Sequence, residues 1–218
     1  MLEQQGNFVY KGTPTNRHLE DKGFGTLDNL SLRSSDLLKK KVLDIGIGGG
    51  RAVEEAVGIG IDVIGFDILS TYTSIDIEKI AQYAVRDARL VRENLRKLKA
   101  VAKRTRRIVA GDATKTLPFV NNAFDFTISC FGLPEYSKTE TQAKNSINEM
   151  IRVSREKVVF TRGTFRNDKA IYGIEPSNFE FDLLAYLDSL GEKGITYELK
   201  TSSTGEISVH IDVTKKKE

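Results

Sequence analysis

The sequence predicts an α/β fold: a doubly wound, mostly parallel seven-stranded sheet whose last strand is antiparallel, with helices on both faces. Two observations carry this prediction. Five short apolar runs alternate with helix-like segments, an order that places parallel strands beneath covering helices. Two further runs, on either side of "SSTG", alternate apolar and polar residues with period two, as a hairpin does.

The individual elements follow from the pattern of apolar residues. The strands are predicted in "KVLDIG", "IDVIGFDI", "RRIVAGDA", "AFDFTISCFGL", "KVVFTRG", "ITYELKT" and "EISVHIDVT". The longest helix is predicted from Ser74 to about Thr105, because its apolar residues fall three and four apart and its basic residues crowd the last turns. The other helical segments are "TLDNLSLRSSDLL", "RAVEEAV", "SKTETQAKNSINEMIRVS" and "NFEFDLLAYLDSLGEKG".

The composition predicts a single domain that has no disulfide bond, no metal site and no membrane-spanning segment. At 218 residues with 39% apolar residues, the chain can bury a core in residues 38–218, preceded by a polar segment, 1–37, that could fold over a substrate site as a lid. A single cysteine excludes an intramolecular disulfide, and His18 and His210 lie too far apart to suggest a metal site. The N-terminus lacks the apolar core of a secretory signal and no long apolar window occurs, so we expect a cytoplasmic protein without a membrane partner.

Positive charge is concentrated in one segment of the chain. Residues 85–107 hold ten Lys and Arg against Asp87 and Glu93, a net charge of +8 in a chain whose total is +3. We favour a solvated helix face over nucleic-acid binding, because Tyr83 is the one aromatic residue nearby and the segment should lie toward an edge of the sheet. A role in oligomerisation, such as a homodimer, is also open.

The ligand site of such a sheet lies at the carboxyl ends of the strands, where the first predicted strand carries a glycine-rich turn. The stretch "DIGIGGG" begins at Asp44, and glycines here permit a tight turn and a close approach of ligand to backbone. Counted from Gly46, the last position of the dinucleotide fingerprint G-x-G-x-x-G is occupied by Arg51. Asp44 would also repel a pyrophosphate, so a dinucleotide is disfavoured and a cation is favoured.

Two more carboxylates follow the next strands. Asp67 ends the second strand, where a carboxylate can accept hydrogen bonds from both hydroxyls of a ribose. Asp112 follows the third strand, where it can accept from the exocyclic amine of an adenine. The three acids suit a ligand with an adenine, a ribose and a positively charged end without phosphate.

At these positions the chain resembles the class I S-adenosylmethionine-dependent methyltransferases. "VLDIGIGGG" is similar to their first motif, "VIGFDI" to the second strand with its ribose-binding acid, and "VAGDATKTLPFVNNAFDFTIS" to the segment that runs from the adenine-contacting acid into the fourth strand. The resemblance covers residues 42 to about 161, and the helix–strand–hairpin ending fits the family's antiparallel seventh strand.

The resemblance implies S-adenosylmethionine (SAM) as the cofactor and assigns its contacts. The glycines would line the methionine and ribose part, Asp44 would lie near the amino group, and Asp67 would hold the ribose. The adenine would meet residues after the second and third strands, and the methyl group residues after the fourth. The implied cofactor-binding residues are Asp44, Gly46, Ile47, Gly48, Gly50, Asp67, Ile68, Asp112, Ala113, Ser129, Cys130 and Phe131.

The residues after the fourth strand narrow the methyl acceptor. Cytosine-C5 methyltransferases place a nucleophilic cysteine here, usually after Pro or Thr, whereas Ser129 precedes Cys130, so we expect an unreactive, buried or half-buried cysteine. The enzymes that methylate amino groups of nucleic acids show Asn/Asp-Pro-Pro-aromatic at this point, which "SCFGLPEY" lacks.

We therefore predict a SAM-dependent methyltransferase that acts on a small molecule or a protein. An RNA methyltransferase that docks through residues 85–107 is the first alternative, and a catalytically idle SAM-binding partner protein is the second. An NAD-dependent oxidoreductase ranks last. The sequence assigns no catalytic residue; the candidates for a general base or another group at the mouth of the site are His18, Glu135, Tyr136 and Arg162.

Overall fold

The computed structural model describes residues 25–68, 85–135, 137–162 and 181–215. In these residues seven strands form one sheet in the order β3-β2-β1-β4-β5-β7-β6. The strands are β1 (Lys41–Ile45), β2 (Asp62–Asp67), β3 (Ile108–Ala110), β4 (Phe124–Ser129), β5 (Ser154–Thr161), β6 (Thr196–Thr201) and β7 (Ile207–Asp212).

The strand directions confirm the predicted doubly wound sheet. β3, β2, β1, β4 and β5 are all parallel to their neighbours, and β7 is antiparallel to both β5 and β6. Asp44 lies in the middle of the sheet, opposite Gly65 of β2 and Ile128 of β4.

Six α-helices connect or flank the described strands. They are α1 (Gly25–Asn29), α2 (Ser34–Leu37), α3 (Arg51–Gly58), α4 (Val85–Thr105), α5 (Glu140–Val153) and α6 (Leu183–Ser189), which a 3₁₀ turn, Leu190–Lys193, extends. Thr139 and Asp182 accept hydrogen bonds from the first turns of α5 and α6 through their side chains, which fixes where these helices begin. The predicted long helix is confirmed over Val85–Thr105, and its residues 74–84 lie outside the described part of the chain.

The sheet separates two apolar cores because successive residues of a strand point to opposite faces. Val42 of β1 packs into the core that α3 and α4 cover, whereas its neighbour Leu43 packs into the core that α5 and α6 cover. Leu27 and Leu30 of the N-terminal segment are fully buried in the first core. Among the described helices, none is both long and apolar enough to cross a membrane.

Candidate functional site

The candidate site lies where the chain reverses the direction in which it adds strands. From β1 the sheet grows through β2 to β3 on one side, and the chain then returns to place β4 and β5 on the other side. Such a reversal leaves a crevice between the carboxyl ends of the two central strands, here β1 and β4. The loops after Ile45 and Ser129 form its two walls.

The turn after β1 depends on glycine at two positions. Gly46 has a φ of +76°, and a Cβ there would lie 3.1 Å from the Cα of Gly132 in the loop after β4. Gly48 has a φ of +53°, and a Cβ there would meet no atom within 4 Å. The first glycine therefore lets the two loops touch, and the second leaves open space beside a bare backbone for a ligand.

Asp67 joins the end of β2 to this turn. Its side chain is buried, and its Oδ2 accepts a hydrogen bond of 2.8 Å from the backbone N–H of Gly48. The carboxylate thus lies beside the glycine turn and holds its backbone in place.

Asp44 is a buried acid under the same turn. Burial first, and then the negative charge of Asp67, raise the pKa of the Asp44 carboxyl to about 8. The carboxyl therefore keeps its proton at neutral pH, and a positively charged ligand group beside it would favour the ionised form.

The residues predicted to meet the adenine lie after β2 and β3. Ile68 exposes 38% of its surface directly after Asp67, which leaves an apolar side chain open to a flat ring. Asp112 accepts hydrogen bonds from the backbone N–H and the hydroxyl of Thr114, at 3.0 and 2.7 Å, and Ala113 packs on the second core. Thr114 therefore fixes Asp112 in an Asx turn at this strand end.

The loop after β4 is held by side-chain hydrogen bonds. The Ser129 hydroxyl donates to the carbonyl of Ile45 at 3.0 Å and accepts from the N–H of Leu133 at 2.8 Å. The N–H of Phe131, a residue with a φ of +52°, donates to the Thr161 hydroxyl at 2.7 Å. The loop is thus tied to the ends of both β1 and β5.

Cys130 lies half-buried in this loop and is a poor nucleophile. Burial raises the pKa of its thiol to about 12, so the thiolate is almost absent near neutral pH. Its sulfur lies 3.8 Å from the side-chain nitrogen of Asn29, which reaches it from α1. The described N-terminal segment therefore contacts the β4 wall of the crevice.

Glu135 introduces an unusual carboxyl group near the end of this loop. Its Oε2 is buried with no hydrogen-bond partner among the described residues, and burial followed by the charge of Glu206 raises its pKa to about 7. Glu206 comes from the turn between β6 and β7, which brings a second acid to this wall. A carboxyl with this pKa can take up or release a proton near neutral pH.

The structure brings most of the sequence-predicted residues to one edge of the sheet, and their roles toward a cofactor stay predictions. Of the candidate groups at the mouth of the site, Glu135 is in the β4 wall. Arg162 follows β5 and is exposed, and its backbone N–H donates to the carbonyl of Ile207. His18 and Tyr136 lie outside the described residues.

Sequence reasoning missed the residues that complete the β4 wall. Gly132 is required because a Cβ there would lie 2.5 Å from the Ser129 hydroxyl and 3.0 Å from the carbonyl of Ile45. One feature of the sequence could have pointed to Gly132: it is a glycine between Phe131 and a Leu-Pro pair, inside a loop whose neighbouring residues are apolar. Asn29 and Glu206 gave none, since both reach the wall from distant parts of the chain.

Comparison with known proteins now defines the family. A family model described as a methyltransferase domain matches residues 43–161, more than half of the chain. The chain belongs to the class I SAM-dependent methyltransferases. The matched residues include the turn after β1, the ends of β2 and β3, and the wall after β4, which are the parts that form the crevice.

Solved structures share the fold of this methyltransferase at low sequence identity. The PH0226 protein from Pyrococcus horikoshii OT3 is 16% identical, with a TM-score of 0.55 and coverage of 94% of this chain and 93% of its own. Magnesium protoporphyrin IX methyltransferase (ChlM) from Synechocystis PCC 6803, with bound SAM, is 12% identical, with a TM-score of 0.54 and coverage of 94% and 88%. The protein in complex with the Trm112 methyltransferase activator of Haloferax volcanii is 13% identical, with a TM-score of 0.58 and coverage of 93% and 94%. No curated protein matches the chain in a comparison by sequence.

The cofactor of this methyltransferase is SAM, and the crevice has features that suit it. Gly48 offers an open backbone, Asp67 offers a carboxylate beside that backbone, and Asp44 offers a buried acid that a cation would ionise. The site thus offers hydrogen-bond acceptors and an acid that can pair with a cation. Its glycine turn lacks the G-x-G-x-x-G fingerprint of a pyrophosphate site.

Proposed function

We propose that this methyltransferase transfers the methyl group of SAM to a small molecule or a protein held against the loop after β4. The observation that carries this proposal is the contact between the two walls of the crevice, where Gly46 of the β1 turn meets Gly132 of the β4 loop. Because the walls touch at their base, a cofactor on one wall faces an acceptor on the other across a short distance. Methyl transfer depends on this proximity.

We assign the cofactor to the β1 wall. Gly46, Gly48 and Gly50 would line its methionine and ribose part, Asp67 would accept from the ribose hydroxyls, and Asp44 would lie near the amino group. This assignment is supported by the hydrogen bond between Gly48 and Asp67, which places backbone and carboxylate side by side. The adenine would lie against Ile68, Asp112 and Ala113.

We assign the acceptor to the β4 wall, from Ser129 to Glu135. SAM supplies an activated methyl group on a sulfonium sulfur with a good leaving group, so the protein must chiefly align the acceptor and exclude water. Where the accepting atom carries a proton at neutral pH, Glu135 would take it, since its buried carboxyl has a pKa of about 7. The high pKa of Cys130 argues against a covalent route through its thiol.

Residues 1–37 would cover the acceptor as a lid. This proposal is supported by the side chain of Asn29. Its amide nitrogen lies 3.8 Å from the Cys130 sulfur, and its amide oxygen Oδ1 accepts from the Thr204 hydroxyl at 3.1 Å. The described part of this segment, from residue 25, thus contacts the β4 wall.

A second candidate acceptor is RNA, because helix α4, which carries the basic residues, passes beside the turn after β1, to which we assign the cofactor. A Cβ on Gly49 would lie 3.6 Å from the side chains of Asn94 and Lys97. The sequence did not predict this contact between the basic segment and the turn after β1.

Calorimetry with SAM and its demethylated product tests the proposed function. We expect both to bind, and we expect turnover of a methyl-labelled cofactor with at least one member of a panel of small-molecule and protein acceptors. Folded protein that binds neither ligand would sink the proposal. Binding of both without turnover on broad panels would support the alternative of a catalytically idle partner protein.

A further inference from the structure

Helix α4 presents a continuous row of positive charge to solvent. Five exposed basic residues lie three, four, three and four positions apart, which places them on one face of the helix. The fourteen steps from the first to the last of these residues make the row about 21 Å long, at 1.5 Å per step. We call this row the basic stripe; its members are Arg89, Arg92, Arg96, Lys99 and Lys103.

The basic stripe is distinct from the charges that hold the helix in place. Leu95, Leu98 and Val101 are buried on the opposite side, where they anchor α4 to the domain. Other basic residues of the segment pair with acids, namely Lys97 with Glu93, Arg104 with Glu54 and Arg107 with Asp62.

The members of the stripe form no ion pair with any residue of the described ranges. The exposed Glu93 lies near the stripe, and Lys97 chiefly, with smaller effects of Arg96 and Arg89, lowers its pKa. Its charge is therefore engaged first by Lys97, and the stripe keeps a large positive excess.

The buried face of α4, opposite the basic stripe, packs against the turn after β1 and against α3. Leu98 and Val101 would meet a Cβ on Gly50 at 3.1 and 3.4 Å, and Arg104 pairs with Glu54 one turn further along α3. The helix therefore runs from the carboxyl-end side of the sheet toward its amino-end side. Arg89, Arg92 and Arg96 of the stripe precede these contacts along the helix.

We propose that the basic stripe binds the phosphate backbone of single-stranded RNA. A row of five cations that pair with no acid of the described ranges complements a polyanion, and a flexible strand can follow a straight helix face. The choice of a single strand over a duplex rests on this flexibility. Because contacts to phosphate carry no sequence information, we expect binding to be independent of sequence.

The expected signature is a steep dependence on salt. Each phosphate contact on a single strand contributes about −0.7 to the slope of log K against log salt, so five contacts give about −3.5. Replacing three cations removes about 2 from this slope and weakens binding about 100-fold near 0.1 M salt.

Fluorescence anisotropy with a labelled single-stranded RNA of about 20 nucleotides, titrated between about 0.05 and 0.3 M KCl, tests this proposal. We expect R89A/R92A/R96A to show the loss in slope and affinity. The matched control K138A/K193A/K215A removes the same charge from exposed lysines outside α4 and should bind as the unmodified protein does.

Three results would overturn the proposal: equal effects of the two triple variants, a flat salt dependence, or tighter binding to phosphatidylserine vesicles than to RNA. Calorimetry with SAM on the same samples separates this proposal from the proposed function. If the protein binds SAM but shows no salt-dependent RNA binding, the proposed RNA-binding role of the stripe is wrong and the proposed function stands. If it binds RNA but not SAM, the proposed function is wrong and the RNA-binding role stands.

Discussion

The carboxylate of Asp67 accepts a 2.8 Å hydrogen bond from the backbone N–H of Gly48, which joins the end of β2 to the turn after β1. One oxygen of the carboxylate thus shapes the turn, and we predict that the carboxylate also binds the cofactor ribose. The shape of the turn and the binding of the cofactor therefore both depend on this side chain, and variants at Asp67 can distinguish the two roles.

Asp67→Ala should weaken SAM binding about 100-fold, because two hydrogen bonds to a charged acceptor are lost and the Gly48 N–H is left unpaired. Asp67→Asn should lose less, about tenfold, since its amide oxygen can still accept from Gly48. Calorimetry measures both affinities, with the exposed Asp188→Asn as control. Equal affinity of Asp67→Ala and the unmodified protein would contradict the assigned role.

Gly132→Ala should destabilise the domain by about 1–3 kcal/mol, because a methyl group would overlap the Ser129 hydroxyl and the Ile45 carbonyl at the base of the crevice. Gly58→Ala is the matched control: a Cβ there meets no atom within 4 Å, and alanine favours the helix by up to about 1 kcal/mol. Urea unfolding measures both changes. A Gly132→Ala protein as stable as the control would show that the β4 loop is not fixed at this glycine.

Glu135→Gln should make the protein more stable above pH 7. Because burial and Glu206 raise the folded-state pKa from 4.5 to about 7, the folded protein binds more protons than the unfolded chain between these values. The stability of the unmodified protein therefore falls as pH rises through this window, by at most about 3 kcal/mol from this group, and the amide removes the fall.

Urea unfolding at pH 5 and pH 8 gives the comparison for Glu135→Gln. The exposed Glu140→Gln serves as control and should leave the difference between the two pH values unchanged. An unaltered pH dependence in Glu135→Gln would mean that Glu135 ionises as an ordinary surface acid does.

His210 should loosen the N-terminal segment in acid. Its Nε2 lies 2.8 Å from the carbonyl of Leu30, which can only accept, so Nε2 carries the hydrogen and the buried Nδ1 has no partner among the described residues. Burial, with smaller effects of Lys200 and Lys157, lowers the pKa of the ring to about 4. Protonation would place a charge in the core.

Stability contributed by the neutral His210 ring should therefore be lost as pH falls from 6.5 toward 4, since the unfolded chain binds the proton first. Hydrogen exchange at the amides of residues 29–32 should accelerate over this range, whereas amides of β4 should change less. His210→Gln should flatten the response. Uniform acceleration over the whole domain would show instead that acid acts on global stability.

The sequence predicted the sheet well because a doubly wound fold is encoded locally. Each apolar run specifies a strand by its own periodicity, and the ends of parallel strands then meet at one edge. This reasoning found Asp44, Asp67 and Asp112 without any knowledge of contacts.

The residues that sequence reasoning missed reach the crevice through long-range contacts. The effect of Glu206 on Glu135 depends on how the β6–β7 turn meets the β4 loop, and no local pattern states this. The same holds for α4, whose register against Gly49 and Gly50 is set by packing of Leu98 and Val101. Periodicity predicted the helix but could not say which of its turns would adjoin the turn after β1.

The carbonyl of Leu30 also bears on how the protein is made. It accepts from Ser208 at 3.1 Å and from His210 at 2.8 Å, partners separated from it by 178 and 180 positions in the chain. Ribosomes add residues one after another, so the carbonyl of Leu30 can meet these two partners only when β7 has emerged. Until then this segment lacks the two side-chain hydrogen bonds that hold its backbone in the folded domain. The segment is synthesised early, yet these two contacts are among the last that can form.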